Sequence, residues 1–219
     1  MLNKCLTALA LAAALLPAAH ADPVVYNQSW DHGTWAWSSQ NDPGGAGDFA
    51  KVYDNFTLAA STAITGIDWV GAYLSQVQGT PTGFLLQIWA DQAGAPGSLL
   101  YSDTISGNAH QSAGLVVGAW VYQAYSEDLA TAFQAAAGVT YWLSVQEIGP
   151  VPTQWAWGGG SGGDGSEVQD FAGTRYVRGN DAAFDLRGGT ATVPEPGSLA
   201  LAGLALLGLG AGRRRARTG

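Results

Sequence analysis

The side chains with chemical potential in this sequence are carboxylates, tryptophans and a serine set among glycines. Of its 17 acidic residues, Asp68, Asp91, Glu127, Glu147 and Asp185 sit in or beside segments of strand-like composition. Two carboxylates flanking a glycosidic bond are what its hydrolysis requires, but linear order does not say which two would meet. Asp164, Glu167 and Asp170 follow a glycine-rich stretch and offer oxygen ligands of the kind Ca²⁺ takes from a flexible loop. They lack EF-hand spacing, and a solvated acidic loop is the plainer reading. Gly159-Gly160-Ser161-Gly162-Gly163 satisfies G-x-S-x-G, and Gly158 to Gly163 satisfies G-x-G-x-x-G. A nucleophile elbow needs a buried strand before it and a helix after it, and a dinucleotide loop needs a βαβ unit; a run of glycines fits either pattern without that context. His32 and His110 are isolated and the one cysteine is Cys5, near the start of the chain, so neither zinc nor iron ligation is expected. No catalytic residue is assigned, the chain is expected not to be an enzyme, and Ca²⁺ is the only cofactor candidate.

The aromatic residues are the stronger signal. All nine tryptophans lie between Trp30 and Trp157. Trp35 and Trp37, and again Trp155 and Trp157, are two residues apart, so on a strand each pair points to one face. Flat apolar rings beside Gln, Asn and Asp suit sugar rings, which makes Trp35, Trp37, Trp155 and Trp157 a candidate carbohydrate platform. The competing reading is that these pairs pack the core, as Trp69, Trp89, Trp120 and Trp142 are expected to do.

The elements that would position these residues have a period of two, with turn residues every ten or so positions, the pattern of an all-β antiparallel β-sandwich, jelly-roll-like. Strands are expected at Val24–Trp30, Phe49–Leu58, Ile64–Leu74, Gly83–Ala90, Leu99–Ile105, Leu115–Ala124, Thr140–Glu147, Gln154–Trp157 and Ala183–Arg187. Asp42-Pro43-Gly44-Gly45, Gly94-Ala95-Pro96-Gly97 and Gly158 to Gly165 are expected as turns or loops. Leu129 to Ala137 is rich in alanine, yet Thr131, Phe133 and the following Gly138 favour extended structure there.

Both ends differ from the middle. Lys4, the apolar run Leu6 to Leu16 and the small residues Ala19 and Ala21 around His20 make residues 1–21 a signal peptide, cleaved before Asp22. Cys5 precedes the apolar run, so it does not mark a lipoprotein. Near the C-terminus, Val193-Pro194-Glu195-Pro196 leads into an uncharged Leu/Ala/Gly stretch to Gly212, just long enough for a single transmembrane helix, followed by Arg213, Arg214, Arg215 and Arg217. Those arginines stop transfer and fix the C-terminus inside. The expected organisation is therefore 1–21 signal peptide, 22–192 β-sandwich ectodomain and 193–219 sorting signal.

The net charge of −8 is unevenly spread. Between the two ends, Lys51, Arg175, Arg178 and Arg187 stand against sixteen acids, leaving that segment at −12. Such a surface repels phosphate backbones and anionic lipid, so nucleic acid and peripheral membrane contact are excluded for the folded part. Cations and neutral sugars remain as partners. The middle has no cysteine and cannot be stapled by disulfides, and about 170 residues do not need them.

The ordered series Pro194-Glu195-Pro196, apolar helix and Arg213-Arg214-Arg215 resembles the PEP-CTERM sorting signal. That resemblance implies processing by an exosortase, a membrane enzyme of Gram-negative bacteria that make extracellular polysaccharide. The stretches Ile67 to Tyr73, Leu86 to Asp91 with Pro96 to Ser102, Gly138 to Ser144 and Asp181 to Leu186 resemble the middle domain of many PEP-CTERM exported proteins. Those domains are described as β-sandwiches of unassigned function. The expected role is an exported, non-catalytic cell-surface or extracellular-matrix protein that associates with exopolysaccharide. A secreted glycoside hydrolase and a purely structural surface protein are the alternatives.

Overall fold

The computed structural model describes residues 22–33, 35–74, 80–150 and 154–190. The expected signal peptide, the Val193–Pro196 motif, the expected transmembrane segment and the arginine cluster lie outside the described residues. Among those residues there are fifteen strands: β1 (Val24–Trp30), β2 (Ala36–Ser38), β3 (Gln40–Asp42), β4 (Gly47–Thr57), β5 (Thr62–Leu74), β6 (Gly83–Asp91), β7 (Pro96–Ser106), β8 (Leu115–Val117), β9 (Trp120–Ala135), β10 (Thr140–Ile148), β11 (Trp155–Ser161), β12 (Glu167–Phe171), β13 (Thr174–Arg178), β14 (Asp181–Ala182) and β15 (Phe184–Thr190). No described segment is a helix long and apolar enough to cross a membrane.

The strands form two sheets. The first runs β14-β11-β1-β15-β5-β9-β8, with β2 added on β11; the second runs β13-β12-β4-β3-β10-β6-β7. Because β11 pairs with both β1 and β5, the four strands β1, β15, β5 and β11 close into a ring within the first sheet. The pairings are antiparallel except that of β10 with β3.

Alternation along each strand explains how the sheets meet. On β15, Phe184 and Leu186 are buried while Asp185 and Arg187 are only partly so; on β4, Val52 and Phe56 enter the main core while Tyr53 joins a separate small cluster with Trp142 and Val168. The main core takes residues from both sheets. At its centre Phe84 of the second sheet meets Trp69, Tyr125 and Trp155 of the first, with ring centroids at 5.0, 4.9 and 5.4 Å. Edge-to-face contacts of this kind add about 0.5–1.5 kcal/mol beyond area burial.

The extended reading of Leu129 to Ala137 agrees with the all-β fold, since β9 continues to Ala135. Three expectations fail locally. β7 already begins at Pro96, inside the turn expected over Gly94 to Gly97. The strand expected over Leu115–Ala124 is instead a hairpin, β8 and β9 turning at Gly118, whose φ of 60° is left-handed. The glycines expected as loop from Gly158 begin inside β11, which runs to Ser161. A Cβ at Gly159 would lie 2.5 Å from the Trp35 ring, and one at Gly160 would strike the Ala182 carbonyl. Glycine is needed there because other groups press onto the strand.

Candidate functional site

Four strands of the first sheet place four polar residues in a lateral row. Asn27 on β1 is in register with Asp185 on β15, Asp185 with Asp68 on β5, and Asp68 with Ser126 on β9. Their sequence neighbours Ile67, Trp69, Phe184 and Tyr125 are core residues, so alternation turns the row to the outer face. The row is tied together by hydrogen bonds. Asn27 Nδ2 donates to Asp185 Oδ1, Ser29 Oγ to Asn27 Oδ1 at 2.7 Å, and Ser126 Oγ to Asp68 Oδ1 at 2.6 Å.

Arg187 secures one end of the row. Its Nε donates to Asp68 Oδ1 at 3.1 Å, its Nη1 to Asp128 Oδ1 at 2.6 Å and its Nη2 to the Glu127 carbonyl at 2.9 Å. It lies over Gly66, where a Cβ would collide with the guanidinium. Asp185 forms no ion pair among the described residues. The row therefore holds two carboxylates on neighbouring strands, one neutralised by Arg187 and the other held by an uncharged amide.

Three residues of the row, Asn27, Asp68 and Asp185, line a cleft of about 320 Å³ together with Ser29, Trp30, Val70 and Ala124. A smaller hollow of about 140 Å³ shares Trp30, Val70 and Ala124 and extends it past Tyr122 to Leu115. Trp30 is partly exposed and is braced by Tyr122 and His32 at ring distances of 5.2 and 5.1 Å. Convergent polar groups beside an aromatic side chain in a concavity are the usual makings of a small-ligand site.

The tryptophan pairs lie elsewhere. Trp155 and Trp157 share a face, as their spacing requires, but that face is the interior: both are 0 % exposed. The Trp155 indole donates to Tyr125 Oη at 3.3 Å and covers Gly71, and Trp157 donates to the Ala183 carbonyl at 3.0 Å. Neither can meet a sugar, because the closed ring of strands puts both faces of that part of β11 against protein. Trp35 and Trp37 are partly exposed, at 6.0 Å from one another, and the Arg178 guanidinium lies 3.9 Å over Trp37. Of the expected core indoles, Trp69 and Trp142 are buried, while Trp89 and Trp120 are only partly so.

The proposed calcium trio does not converge. Glu167 and Asp170 are three apart on β12, and odd spacing puts them on opposite faces. Glu167 is fully buried, Asp170 pairs with Arg175 at 2.7 Å, and Asp164 holds Asn55 at 3.1 Å from its loop. Hydrogen bonds from Arg175 keep the Asp170 carboxyl below the usual range. Among the described residues no three His, Cys, Asp or Glu side chains form a group able to hold a metal ion.

Of the five carboxylates considered for hydrolysis, only Asp68 and Asp185 come together in this cleft. Asp91 accepts from the Trp142 indole at 2.9 Å, and Glu127 lies 3.3 Å from His110. Glu147 is buried against Gln40 and Tyr73, and burial pushes its carboxyl up to about 7, opposed by those two donors. Ser161 donates to the Ser29 carbonyl at 3.3 Å in a sheet, with no helix following, so the elbow pattern has no structural counterpart.

One buried group was not foreseen. Asp54 on β4 and Glu167 on β12 are register partners, each without solvent exposure. Asp54 Oδ2 accepts from the Ala182 amide, while Asp54 Oδ1 and both Glu167 oxygens have no hydrogen-bond partner among the described residues. Burial, then the charge of Asp54, pushes Glu167 up to about 9 against the pull of Arg178, and burial raises Asp54 well above the usual range. Perturbed acids of this sort often mark active sites. These two are closed off from solvent, so no substrate reaches them.

In comparison with known proteins, residues 192–215 match the PEP-CTERM protein-sorting motif. The motif covers only the C-terminal end, beyond the described residues, and says nothing of the cleft. No curated protein matches the chain.

Proposed function

We propose that this is an exported surface or matrix protein, sorted by its PEP-CTERM tail, whose β-domain binds extracellular polysaccharide without acting on it. The motif at residues 192–215 supports the first half. It fits a route in which the signal peptide is removed, the apolar C-terminal segment holds the chain in the membrane, and an exosortase processes it at the cell surface. For the domain, we read the two facing sheets as a jelly-roll-like sandwich with residues 22–192 as its extent.

The observation that carries the binding reading is that Asn27, Asp185 and Asp68 line one cleft beside Trp30, with Ser126 bracing Asp68 from the next strand. Sugar hydroxyls both donate and accept. Carboxylates and amides already fixed by neighbouring bonds meet them at little ordering cost, and an indole supplies an apolar face. The test is retention of the mature protein on the exopolysaccharide secreted by its own host. Trp30→Ala is expected to elute early while keeping its thermal unfolding transition, and wild-type protein passing through unretarded would contradict the reading.

One observation favours a second reading. Asp68 and Asp185 face one another on adjacent strands, and retaining glycosidases carry two carboxyl groups about 5–5.5 Å apart. Asp68 is surrounded by donors from Arg187 and Ser126, a setting for an acceptor more than for a proton-delivering acid. Release of reducing ends from the bound polymer, lost in Asp185→Asn, would decide for the enzyme.

A further inference from the structure

We infer that the cleft takes a glycan bearing free amino groups in preference to a neutral one, and that it rejects glycans bearing acid groups. This rests on the reading of the cleft as a glycan site and concerns which glycan enters it.

The reason lies in the charge left over in the row. Asp68 and Asp185 are directly opposite on β5 and β15, an arrangement in which like charges repel. Arg187 relieves only Asp68 and is shared with Asp128. Asp185 is held by the neutral amide of Asn27 and lines the cleft without an ion pair of its own among the described residues, Arg187 being turned onto Asp68 and Asp128. Nearby charges do not reverse the sign. Glu127 lies against His110 at 3.3 Å, and Asp128 is spent on Arg187 at 2.6 Å. The other basic residues of the domain are on the second sheet: Lys51 pairs with Asp48, Arg175 with Asp170, and Arg178 donates to Gln169 at 2.7 Å.

An ammonium group on a sugar ring would donate to the Asp185 carboxylate and lower the repulsion between the two acids. A hydroxyl in its place would also donate to the carboxylate, but it brings no positive charge to offset the repulsion between the two acids. A uronate, sulfate or phosphate would bring a third negative charge into the same space and be rejected by it.

The experiment compares affinity electrophoresis of the mature protein in gels containing a polyglucosamine, a neutral glucan or a polyuronate. Because the whole domain is acidic, the variants must separate the cleft from the general field. Asp185→Asn removes the cleft charge and keeps an acceptor for Asn27; it also removes a like-charge contact, so folding is not at risk from it. Asp48→Asn removes the same charge from the second sheet.

Wild-type protein and Asp48→Asn are expected to bind the polyglucosamine about tenfold tighter than the glucan at low salt. In Asp185→Asn that ratio should fall to near one, and none of the three proteins should be retarded by the polyuronate. Erosion of the preference by Asp48→Asn as strongly as by Asp185→Asn would overturn the inference, because net charge alone would then produce it. Equal wild-type affinity for glucan and polyglucosamine, or binding of the polyuronate, would overturn the inference and leave the cleft reading standing. No retardation by any polymer would overturn both.

Discussion

Asp54 and Glu167 face each other across β4 and β12 with neither side chain exposed to solvent, two acids buried as partners with three of their four oxygens unbonded. The groups that face them from neighbouring strands are Tyr26 on β1, Arg178 on β13 and Asp181 on β14. A single guanidinium does not neutralise three carboxylates, so the pair is held at least partly protonated.

That arrangement sets a pH dependence of stability. Glu167 titrates at about 9 in the fold against an ordinary 4.5. Between those values the folded state holds the Glu167 proton more tightly than the unfolded one, so the contribution of Glu167 to stability is fullest below about pH 4.5 and falls until the pH passes about 9. Asp54 acts in the same direction, as does Glu147 up to about pH 7. Thermal unfolding followed at pH 5, 7 and 9 should give a falling Tm. Glu167→Gln, which stays neutral throughout, should flatten the fall and raise the Tm at pH 9. A wild-type Tm that holds steady, or a slope that Glu167→Gln leaves untouched, would contradict this.

Trp155 belongs to the core, and its loss should be felt there. It touches Phe84 and Tyr125 and covers Gly71. Trp155→Ala is expected to cost about 3–5 kcal/mol in denaturant unfolding. A variant of near wild-type stability would show that the indole is not packed as described.

The glycines of the first sheet differ in what surrounds them, which gives a paired test. A methyl group at Gly71 would collide with the Trp155 indole, whereas one at Gly189 meets nothing within 4 Å. Gly71→Ala should destabilise by about 1–3 kcal/mol through overpacking. Gly189→Ala should be neutral or slightly stabilising, since alanine loses less chain entropy on folding. Equal effects at the two positions would be inconsistent with the packing of β5 against β11.

Much of the fold was legible in the sequence because it depends on local alternation. Val24–Trp30 is bounded as its pattern suggests, and β5, β6 and β10 extend theirs by only one or two residues. The glycines of β11 were not legible as strand, because their cause is Trp35 and Ala182, which approach from elsewhere in the chain. The short strands β2, β3 and β14 have too few residues to show a period. The cleft was harder still. Asp68 and Asp185 stood among five candidate acids, yet Asn27, Asp68, Ser126 and Asp185 become neighbours only through the registers of four strands. Trp30 gave no paired signal, and the spacing that did draw attention to Trp155 and Trp157 reports a shared face without saying whether it looks inward.

The sorting tail has its own test. Replacement of Glu195, or deletion of Arg213 to Arg217, should leave the mature mass unprocessed at the C-terminus and the protein retained at the inner membrane. Normal mass and surface display in both variants would mean that the motif at residues 192–215 does not direct export here.

The most direct measurement is a chemical-shift map of the isotopically labelled mature protein titrated with host exopolysaccharide. Shifts should concentrate at Asn27 to Trp30, Asp68 to Val70, Ala124 and Tyr125, and Ala183 to Asp185, with the Trp30 indole N–H among the largest. The separate hollow of about 250 Å³ on the second sheet, lined by Lys51, Tyr53 and Arg175, should stay silent. Shifts confined to that second hollow, or none at saturating polymer, would contradict the assignment of the cleft.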